Sequence, residues 1–166
     1  MRQVWQVGPE NSGMKGKSSA GVLLYRRTRA GLEVMLVHPG GPFWAKKDQG
    51  AWTIPKGEIG EGEDPLATAL REFAEETGFA LVGPAERLGE VRQAGGKLVH
   101  GFAIEGDCDA SAIRSNTFEM DWPPRSGKRK SFPEVDRAEW FSLEAAREKI
   151  NPAQAVFLDR LADLVG

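Results

Sequence analysis

The apolar and polar positions in the first third of the chain predict two neighbouring strands and a glycine-rich loop. Residues 20–27 (AGVLLYRR) form an apolar run that ends in charge, and residues 32–38 (LEVMLVH) form a second one. The four residues between them end in glycine, which is typical of a tight hairpin turn. Residues 39–50 contain two prolines and three glycines and are expected to form a loop. The short apolar stretch at 51–54 predicts a third strand.

The next segment has the spacing of an amphipathic helix. Asp64 is a suitable N-cap, and Pro65 fits the first helical turn because its missing N–H would have no partner there. Gly78 provides a C-terminal stop. Between these signals, apolar side chains recur at helical spacing, at Leu66, Ala69, Leu70 and Phe73.

The second half of the chain predicts more strands than helices. The predicted strands lie at 81–92, 97–105, 117–122 and 138–141, and the predicted helices lie at 143–150 and from 151 onward. Residues 106–132 are polar and contain a double proline, so we expect a long, partly extended excursion there. Because helices and strands do not alternate strictly, the pattern favours an α/β sandwich with a mixed sheet over a doubly wound parallel sheet.

Length and composition are those of one ordinary globular domain. The chain has 166 residues, of which 40% are apolar and 28% charged. No internal repeat divides it. We expect a polar N-terminal arm over residues 1–17, in which Met14 is an alternative start, and a single domain over residues 18–166.

Charge and cysteine content exclude several kinds of site. The formal net charge of −2 provides no broad attraction to nucleic acid or anionic lipid. Cys108 is the only cysteine, which excludes an internal disulfide and a cysteine-based metal cage and fits a cytoplasmic location. No apolar run approaches the roughly 20 residues of a membrane span, and the N-terminus lacks the apolar core of a secretory signal.

The acidic part of the predicted helix offers oxygen ligands for a hard cation. Residues three and four apart lie side by side on a helix, so Glu72, Glu75 and Glu76 share one face. The preceding loop, residues 57–62, has glycines that can turn backbone carbonyls toward that face. Such a site suits Mg²⁺ or Mn²⁺, which share coordination positions with substrate phosphates. The pattern favours metal-assisted hydrolysis of a phosphoanhydride, and the alternative is a solvated acidic face with Arg71 as its counter-charge.

The same stretch resembles the Nudix box, the signature of the Nudix hydrolase family. The match spans 23 consecutive residues, 57–79, without a gap. Its nine defined positions are Gly57, Glu63, Arg71, Glu72, Phe73, Glu75, Glu76, Gly78 and Phe79. Outside the box the likeness is looser and rests on the first strand pair, residues 52–57 and residues 139–146. The resemblance implies a Nudix-type α/β/α sandwich with a mixed sheet.

The resemblance also implies roles for the matched polar residues. Glu72, Glu75 and Glu76 would bind the metal ions together with the Gly57 carbonyl, and Glu72 would orient or deprotonate the attacking water.

Two further matched residues would support the site without binding the metal. Glu63 is similar to the family residue that supports the loop. Arg71 is similar to the one that holds a neighbouring carboxylate by charge-assisted hydrogen bonds.

Many Nudix proteins add a carboxylate from a loop just before the last strand. Glu134 is our candidate for this additional metal ligand, and Glu119 and Asp136 are its competitors. The alternative for Glu134 is an ordinary glutamate in a turn after proline.

Several residues outside the box are candidates for substrate contact. Lys56 is a candidate to reach a phosphate, and its alternative is a solvated lysine before a glycine. Trp44 is a candidate to stack on a base, and the alternative, which is the commoner one for loop aromatics, is a small satellite core. The run Lys128, Arg129 and Lys130 suits a polyphosphate tail, and its alternative is a solvated loop.

The expected activity is hydrolysis of a phosphoanhydride bond in a nucleoside polyphosphate, with Mg²⁺ or Mn²⁺. Nucleoside triphosphates and diadenosine polyphosphates are both open as substrates, because the box does not specify the rest of the molecule. The alternatives are an ADP-sugar or RNA 5′-end pyrophosphohydrolase and a non-catalytic nucleotide-binding module. We expect a small nucleotide as partner, no membrane and no dedicated nucleic-acid-binding domain, and the oligomeric state stays open.

Overall fold

The computed structural model describes residues 18–166, so the predicted polar arm and Met14 lie outside the described residues. Eight strands are present in these residues: β1 (Ser19–Thr28), β2 (Gly31–Pro39), β3 (Lys56–Glu58), β4 (Ala85–Arg92), β5 (Leu98–Glu105), β6 (Thr117–Asp121), β7 (Arg129–Pro133) and β8 (Val135–Ser142). The three α-helices are α1 (Pro65–Thr77), α2 (Leu143–Lys149) and α3 (Ala155–Val165).

A six-stranded mixed sheet forms the centre of the molecule. Its main order is β4-β5-β1-β2-β8, and β3 pairs with β1 as well. β1 runs antiparallel to β2 and β3 and parallel to β5. β6 and β7 form a separate two-stranded hairpin.

Helices cover both faces of the sheet because the central strands are apolar on both sides. On one face, Leu23 of β1 packs in a cluster with Phe157 and Leu158 of α3. On the other face, Val22 of β1 packs in a cluster with Phe73 of α1. This arrangement confirms the predicted α/β/α sandwich with a mixed sheet.

The ends of α1 lie where the sequence signals place them. The side chain of Asp64 accepts a hydrogen bond from the Ala67 N–H at 3.1 Å, and Pro65 occupies the first turn. Gly78 adopts a φ of 83°, and its N–H donates to the Ala74 carbonyl at 2.8 Å. The helix thus begins and ends as predicted.

The predicted strand at 51–54 is wrong. Thr53 forms an isolated bridge with Val37, and Trp52 forms one with Ile150, while the regular strand is β3 further along. The Pro55 carbonyl instead accepts the Val22 N–H at 3.2 Å.

The predicted boundaries also differ around β4 and in the polar excursion. β4 begins at Ala85 rather than at residue 81, after Gly83 and Pro84, and proline cannot donate to a strand ladder. β6 ends one residue before the predicted 122. β7 was not predicted, because its sequence RKSFP has no alternation of apolar and polar side chains.

Among the described residues, no helix has the length and apolar character needed to cross a membrane.

Candidate active site

β3 and α1 bring the backbone of Gly57 against the carboxylate of Glu72. Gly57 pairs with Ala20 of β1, which fixes the position of its backbone. A Cβ atom added at Gly57 would overlap the carboxyl group of Glu72. The absence of a side chain at this residue therefore allows the close approach of strand and helix.

We expect Gly57→Ala to lower kcat/KM by about tenfold, because the Glu72 carboxylate must move away from the new methyl group. Gly106→Ala is the control, since its Cβ would lie 3.2 Å from a single methyl group of Leu24. Steady-state kinetics and thermal melting of both variants check this prediction. Equal activity of the two variants would contradict a need for close packing at Gly57.

Arg71 holds three carboxylates around one guanidinium group. Its Nε and Nη2 donate to Glu63 at 2.9 and 3.0 Å. Its Nη1 donates to Glu72 at 2.9 Å and to Glu75 at 3.1 Å. Glu72 and Glu75 are thus turned toward the same cation, as expected for charge-assisted hydrogen bonds.

Glu63 connects Arg71 to the loop that precedes α1. Besides the bonds from Arg71, its carboxylate accepts the Gly60 N–H at 2.9 Å. The hydrogen bonds from Arg71, followed by that from Gly60, lower the pKa of Glu63 to about 2. Glu63 thus stays ionised and fixes both the loop and the guanidinium group.

Glu76 is a buried carboxylate with little compensation. Its side chain accepts the Lys56 N–H at 3.3 Å, and the residue is only 9% exposed. Burial raises the pKa of Glu76 to about 8; the Lys56 ammonium opposes this shift, and the charges of Glu72 and Glu134 add to it. Burial also lowers the pKa of Lys56. The solvated acidic face considered from the sequence is therefore wrong for Glu76.

Two further carboxyl groups share the same environment. Burial, followed by the charge of Glu75, raises the pKa of Glu72. The same two causes raise the pKa of Glu134. The pKa values of three neighbouring carboxyl groups are thus raised, and a bound cation would stabilise their ionised forms.

The donor set fits a hard divalent cation better than any other group. All its side-chain ligands are carboxylate oxygens, which suit Mg²⁺ or Mn²⁺. Within residues 18–166, no three acidic, His or Cys side chains converge tightly enough to enclose an ion. This arrangement still fits Mg²⁺, which keeps several waters and binds through one or two carboxylates plus substrate phosphates.

A cavity of about 250 Å³ opens beside these carboxylates. Glu76 and Glu134 line it at the carboxylate side, together with Lys56. Trp44 and Gln93 also line it. Its volume is close to the lower end of the roughly 300–1,000 Å³ range of small-molecule sites.

Glu134 is better placed than its two competitors for the additional ligand. Its backbone is fixed by hydrogen bonds to Asn116 and Gly40 at 2.8 and 2.9 Å. The carboxylate of Asp136 instead contacts Nδ1 of His38 at 2.9 Å.

Glu119, the other competitor, lies near the guanidinium group of Arg129 on the β6–β7 hairpin. Its carboxylate lies 3.8 Å from Nε of Arg129, and Asp121 lies at the same distance from the Arg129 Nη1. Glu119 does not line the cavity.

The basic run does not lie at the cavity. Lys128, Arg129 and Lys130 are exposed, at the start of β7, and none of them lines the cavity. The structure thus separates the run from the carboxylates, whereas it brings Lys56 and Trp44 to them.

The loop aromatics form small clusters beside the cavity. Phe43 and Trp122 make an edge contact with ring centroids 5.5 Å apart. Phe118 and Phe132 lie 6.0 Å apart across the hairpin. The contact between Phe43 and Trp122 joins the hairpin to the loop that carries Trp44.

The family model described as NUDIX domain matches residues 15–161. The chain belongs to the Nudix family. The family predicted from residues 57–79 is thereby confirmed.

Relatives of this Nudix chain include two RNA pyrophosphohydrolases. The protein of Bartonella bacilliformis is 33% identical over 108 residues, covering 56% of this chain and 58% of the relative. That of Brucella anthropi is 33% identical over 116 residues, covering 61% and 62%. The chain thus spans about three fifths of the length of these curated relatives.

Solved Nudix structures share the fold. The C. elegans Ap4A hydrolase in a binary complex superposes with a TM-score of 0.60 at 21% identity, covering 90% of this chain and 98% of that one. The NUDIX domain of Shewanella oneidensis NrtR, complexed with ADP ribose, gives a TM-score of 0.65 at 18% identity, covering 96% and 94%. At these identities the likeness concerns the fold alone.

Four polar residues of this Nudix site were not predicted from the sequence. His38 is buried and fixes the loop of Trp44, since its Nε2 donates to the Lys47 carbonyl at 2.6 Å. The other three are amides, namely Gln93, Asn151 and Gln154. A lone glutamine carries no spacing signal, and only its tertiary contacts reveal its position.

Proposed function

We propose that this Nudix protein hydrolyses a phosphoanhydride bond of a nucleoside polyphosphate with the help of a divalent cation. The observation that carries the proposal is the buried carboxylate of Glu76 beside Glu72, at the side of a cavity that Lys56 and Glu134 also line. A divalent cation stabilises the ionised form of buried carboxylates at a cavity, and it also neutralises the charge of a phosphate chain.

The groups available to hold divalent cations are the Gly57 carbonyl and the carboxylates of Glu72, Glu75, Glu76 and Glu134, and each cation would bind through one or two of these carboxylates. Mg²⁺ or Mn²⁺ bound there would neutralise phosphate charge and make a nearby water more acidic. Arg71 and Glu63 act as positioning residues, because they set the orientation of Glu72 and Glu75 through the hydrogen bonds described above.

The chain's own groups have separate tasks in the proposed reaction. Glu72 orients the attacking water or accepts its proton, since its carboxylate lies at Gly57 between strand and helix. Lys56 lines the cavity and donates to a phosphate oxygen of the substrate. Trp44 also lines the cavity and stacks on the base.

A second candidate function is removal of pyrophosphate from the 5′ end of RNA. Its support is the sequence similarity to the two RNA pyrophosphohydrolases. The chemistry at the cleaved bond is the same, and an RNA chain would extend beyond the cavity of about 250 Å³.

A turnover screen tests the proposal and separates the candidates. GTP, ATP, diadenosine tetraphosphate, ADP-ribose and a short 5′-triphosphorylated RNA are compared at equal concentration, with Mg²⁺, with Mn²⁺ and with a chelator. We expect cleavage of a phosphoanhydride bond, measured by chromatography of the nucleotide products, that the chelator abolishes. Binding of a nucleotide without turnover of any substrate would favour the non-catalytic module.

The cytoplasmic location and the single domain over residues 18–166 stay predictions.

The basic run provides a test of the RNA candidate. We expect the triple change of Lys128, Arg129 and Lys130 to glutamine to alter kcat/KM for GTP or ATP by less than about twofold, because these residues lie off the cavity. For triphosphorylated RNA we expect KM to rise by about fivefold, since each exposed phosphate contact contributes at most about 1 kcal/mol.

Salt provides the control for this experiment. Raising the salt concentration should mimic the triple change in the wild type and should affect the triple variant less. An equal loss of kcat/KM for GTP and for RNA would place the run at the reacting phosphates. An unchanged KM for RNA would mean that the β6–β7 hairpin does not contact RNA.

A further inference from the structure

A buried glutamine beside the cavity has its amide orientation fixed by the backbone. Gln154 is fully buried, and its Oε1 accepts the N–H of Ile54 at 3.0 Å. A backbone N–H can only donate, so the oxygen of this amide must face Ile54. The Nε2 group of Gln154 is consequently the end that faces away from Ile54.

This fixed amide sets the orientation of a second one at the cavity wall. Nε2 of Gln154 donates to Oε1 of Gln93 at 2.7 Å. Since a donor requires an acceptor, the oxygen of Gln93 faces Gln154. Its NH₂ group is therefore the part of the amide that remains for another hydrogen bond. Gln93 lines the cavity, so it offers a hydrogen-bond donor there.

A third amide is oriented in the same way. Oδ1 of Asn151 accepts the Ala153 N–H at 2.9 Å, which leaves its NH₂ group as the remaining donor. Asn151 also lines the cavity, and its carbonyl accepts the Gln154 N–H at 2.8 Å. Gln154 thus lies between Gln93 and Asn151 and connects the two.

The amide wall of the cavity, Gln93 and Asn151, therefore presents two donors. The Hoogsteen edge of guanine has two adjacent acceptors, O6 and N7, whereas the same edge of adenine has the N7 acceptor beside an N6 donor. An amide donor facing the N6 amine would be left unpaired, and an unpaired buried group is costly. From this wall we infer that the cavity selects a 6-oxopurine nucleotide over an adenine nucleotide, within the proposed function as a nucleotide hydrolase.

The other polar groups of the cavity suit the phosphate end rather than the base. Glu76 and Glu134 are carboxylates at the cation side, and Lys56 is adjacent to Glu76. The hydroxyl of Thr53 donates to the Ile54 carbonyl at 2.8 Å. The amide wall is thus the part of the lining that distinguishes one purine from another.

Steady-state kinetics with GTP, ITP and ATP test the selection. We expect kcat/KM for GTP and for ITP to exceed that for ATP by at least about tenfold, carried mainly by KM. ITP has the same O6 and N7 acceptors but no amino group at C2, so it isolates the edge that faces the wall. Equal values for the three nucleotides would overturn the inference.

Two variants separate recognition from orientation. Gln93→Glu keeps the acceptor for Gln154 but replaces the NH₂ donor by a second acceptor, so we expect the preference to move toward ATP. Gln154→Met removes the group that orients Gln93, so we expect the preference to shrink without reversing. Gln49→Glu, the same chemical change at an exposed loop residue, is the control and should leave the ratio unchanged.

The outcomes distinguish this inference from the proposed function. Turnover of GTP and ATP at equal rates, with variants that shift both equally, overturns the base selection alone. Turnover of none of the nucleoside polyphosphates, diadenosine tetraphosphate included, overturns the proposed function. In that case, calorimetric titration of GMP and AMP onto the full chain still tests the wall: tighter binding of GMP supports it, and equal or undetectable binding overturns it.

Discussion

Replacing Glu76 by glutamine is expected to reduce divalent-dependent hydrolysis by at least on the order of 100-fold. The change removes a carboxyl group that can ionise beside a cation and keeps the shape of the side chain. Glu76 is 9% exposed, and its carboxylate accepts one weak hydrogen bond from the Lys56 backbone. A neutral amide there cannot bind a hard cation as a carboxylate does.

The fold should tolerate this substitution. Burying a carboxylate is unfavourable, as the raised pKa of Glu76 indicates. We therefore expect the melting temperature of Glu76→Gln, measured without divalent ions, to equal or exceed that of the wild type. Loss of activity together with an unchanged or higher melting temperature separates a functional role from a structural one.

Glu139→Gln is the matched control for this experiment, because Glu139 is exposed on β8. We expect its activity and metal dependence to match those of the wild type. Isothermal titration with Mg²⁺ or Mn²⁺ adds a measurement that needs no turnover, and Glu76→Gln should bind more weakly than Glu139→Gln. Activity of Glu76→Gln within a few-fold of wild type, with unchanged metal affinity, would refute the assignment of Glu76.

The helix of the site could be predicted in full because its signals are local. Asp64 caps α1 through its own side chain, and Gly78 ends the helix in the left-handed conformation. The prediction of a strand at 51–54 was wrong because strand pairing depends on distant residues rather than on local signals. Its apolar residues are buried by packing and by isolated bridges, and an apolar pattern indicates burial without specifying a ladder.

The candidate site shows the same division between local and distant information. Helical spacing predicts that Glu72, Glu75 and Glu76 are neighbours, but it does not predict which of them is buried. Glu76 is buried because the chain at Lys56, 20 residues earlier, lies over it. The basic run was assigned to the substrate on charge, whereas strand pairing places Arg129 opposite Asp121.

Gln93 of the amide wall and Gln154, which orients it, could not be predicted as site residues. Gln93 and Gln154 are 61 residues apart in sequence and meet through one hydrogen bond. Neither residue has a motif around it, and the orientation of each amide follows from a partner that only the fold provides. Specificity in a family with a shared catalytic motif arises from such contacts, which lie outside the motif.

Replacing Arg71 by glutamine is expected to lower the apparent affinity for the divalent cation by roughly 10- to 100-fold, the range typical of residues that orient metal ligands. Arg71 donates hydrogen bonds to the carboxylates of Glu63, Glu72 and Glu75 at 2.9 to 3.1 Å. Without the guanidinium group, Glu72 and Glu75 lose the common partner that sets their orientation. The defect should therefore appear mainly in the metal concentration needed for half-maximal activity.

Two effects of this substitution oppose each other, and their magnitudes decide the sign. Removing a positive charge increases the attraction of the site for a cation, but the Arg71 side chain is 39% exposed, so solvent screening limits that gain to about 1 kcal/mol or less. The loss of ligand orientation corresponds to about 1.4 to 2.7 kcal/mol at the 10- to 100-fold scale. The orientation effect is the larger one, so the net change is weaker binding.

Metal titration distinguishes Arg71 from Glu76. At saturating Mn²⁺ or Mg²⁺ we expect Arg71→Gln to recover activity to within a few-fold of wild type. We expect Glu76→Gln to stay inactive, because it lacks a proposed metal ligand. Arg29→Gln, an exposed arginine in the β1–β2 turn, is the matched control and should titrate like the wild type. A lower metal requirement in Arg71→Gln would mean that the guanidinium competes with the cation for Glu72 and Glu75 more than it orders them.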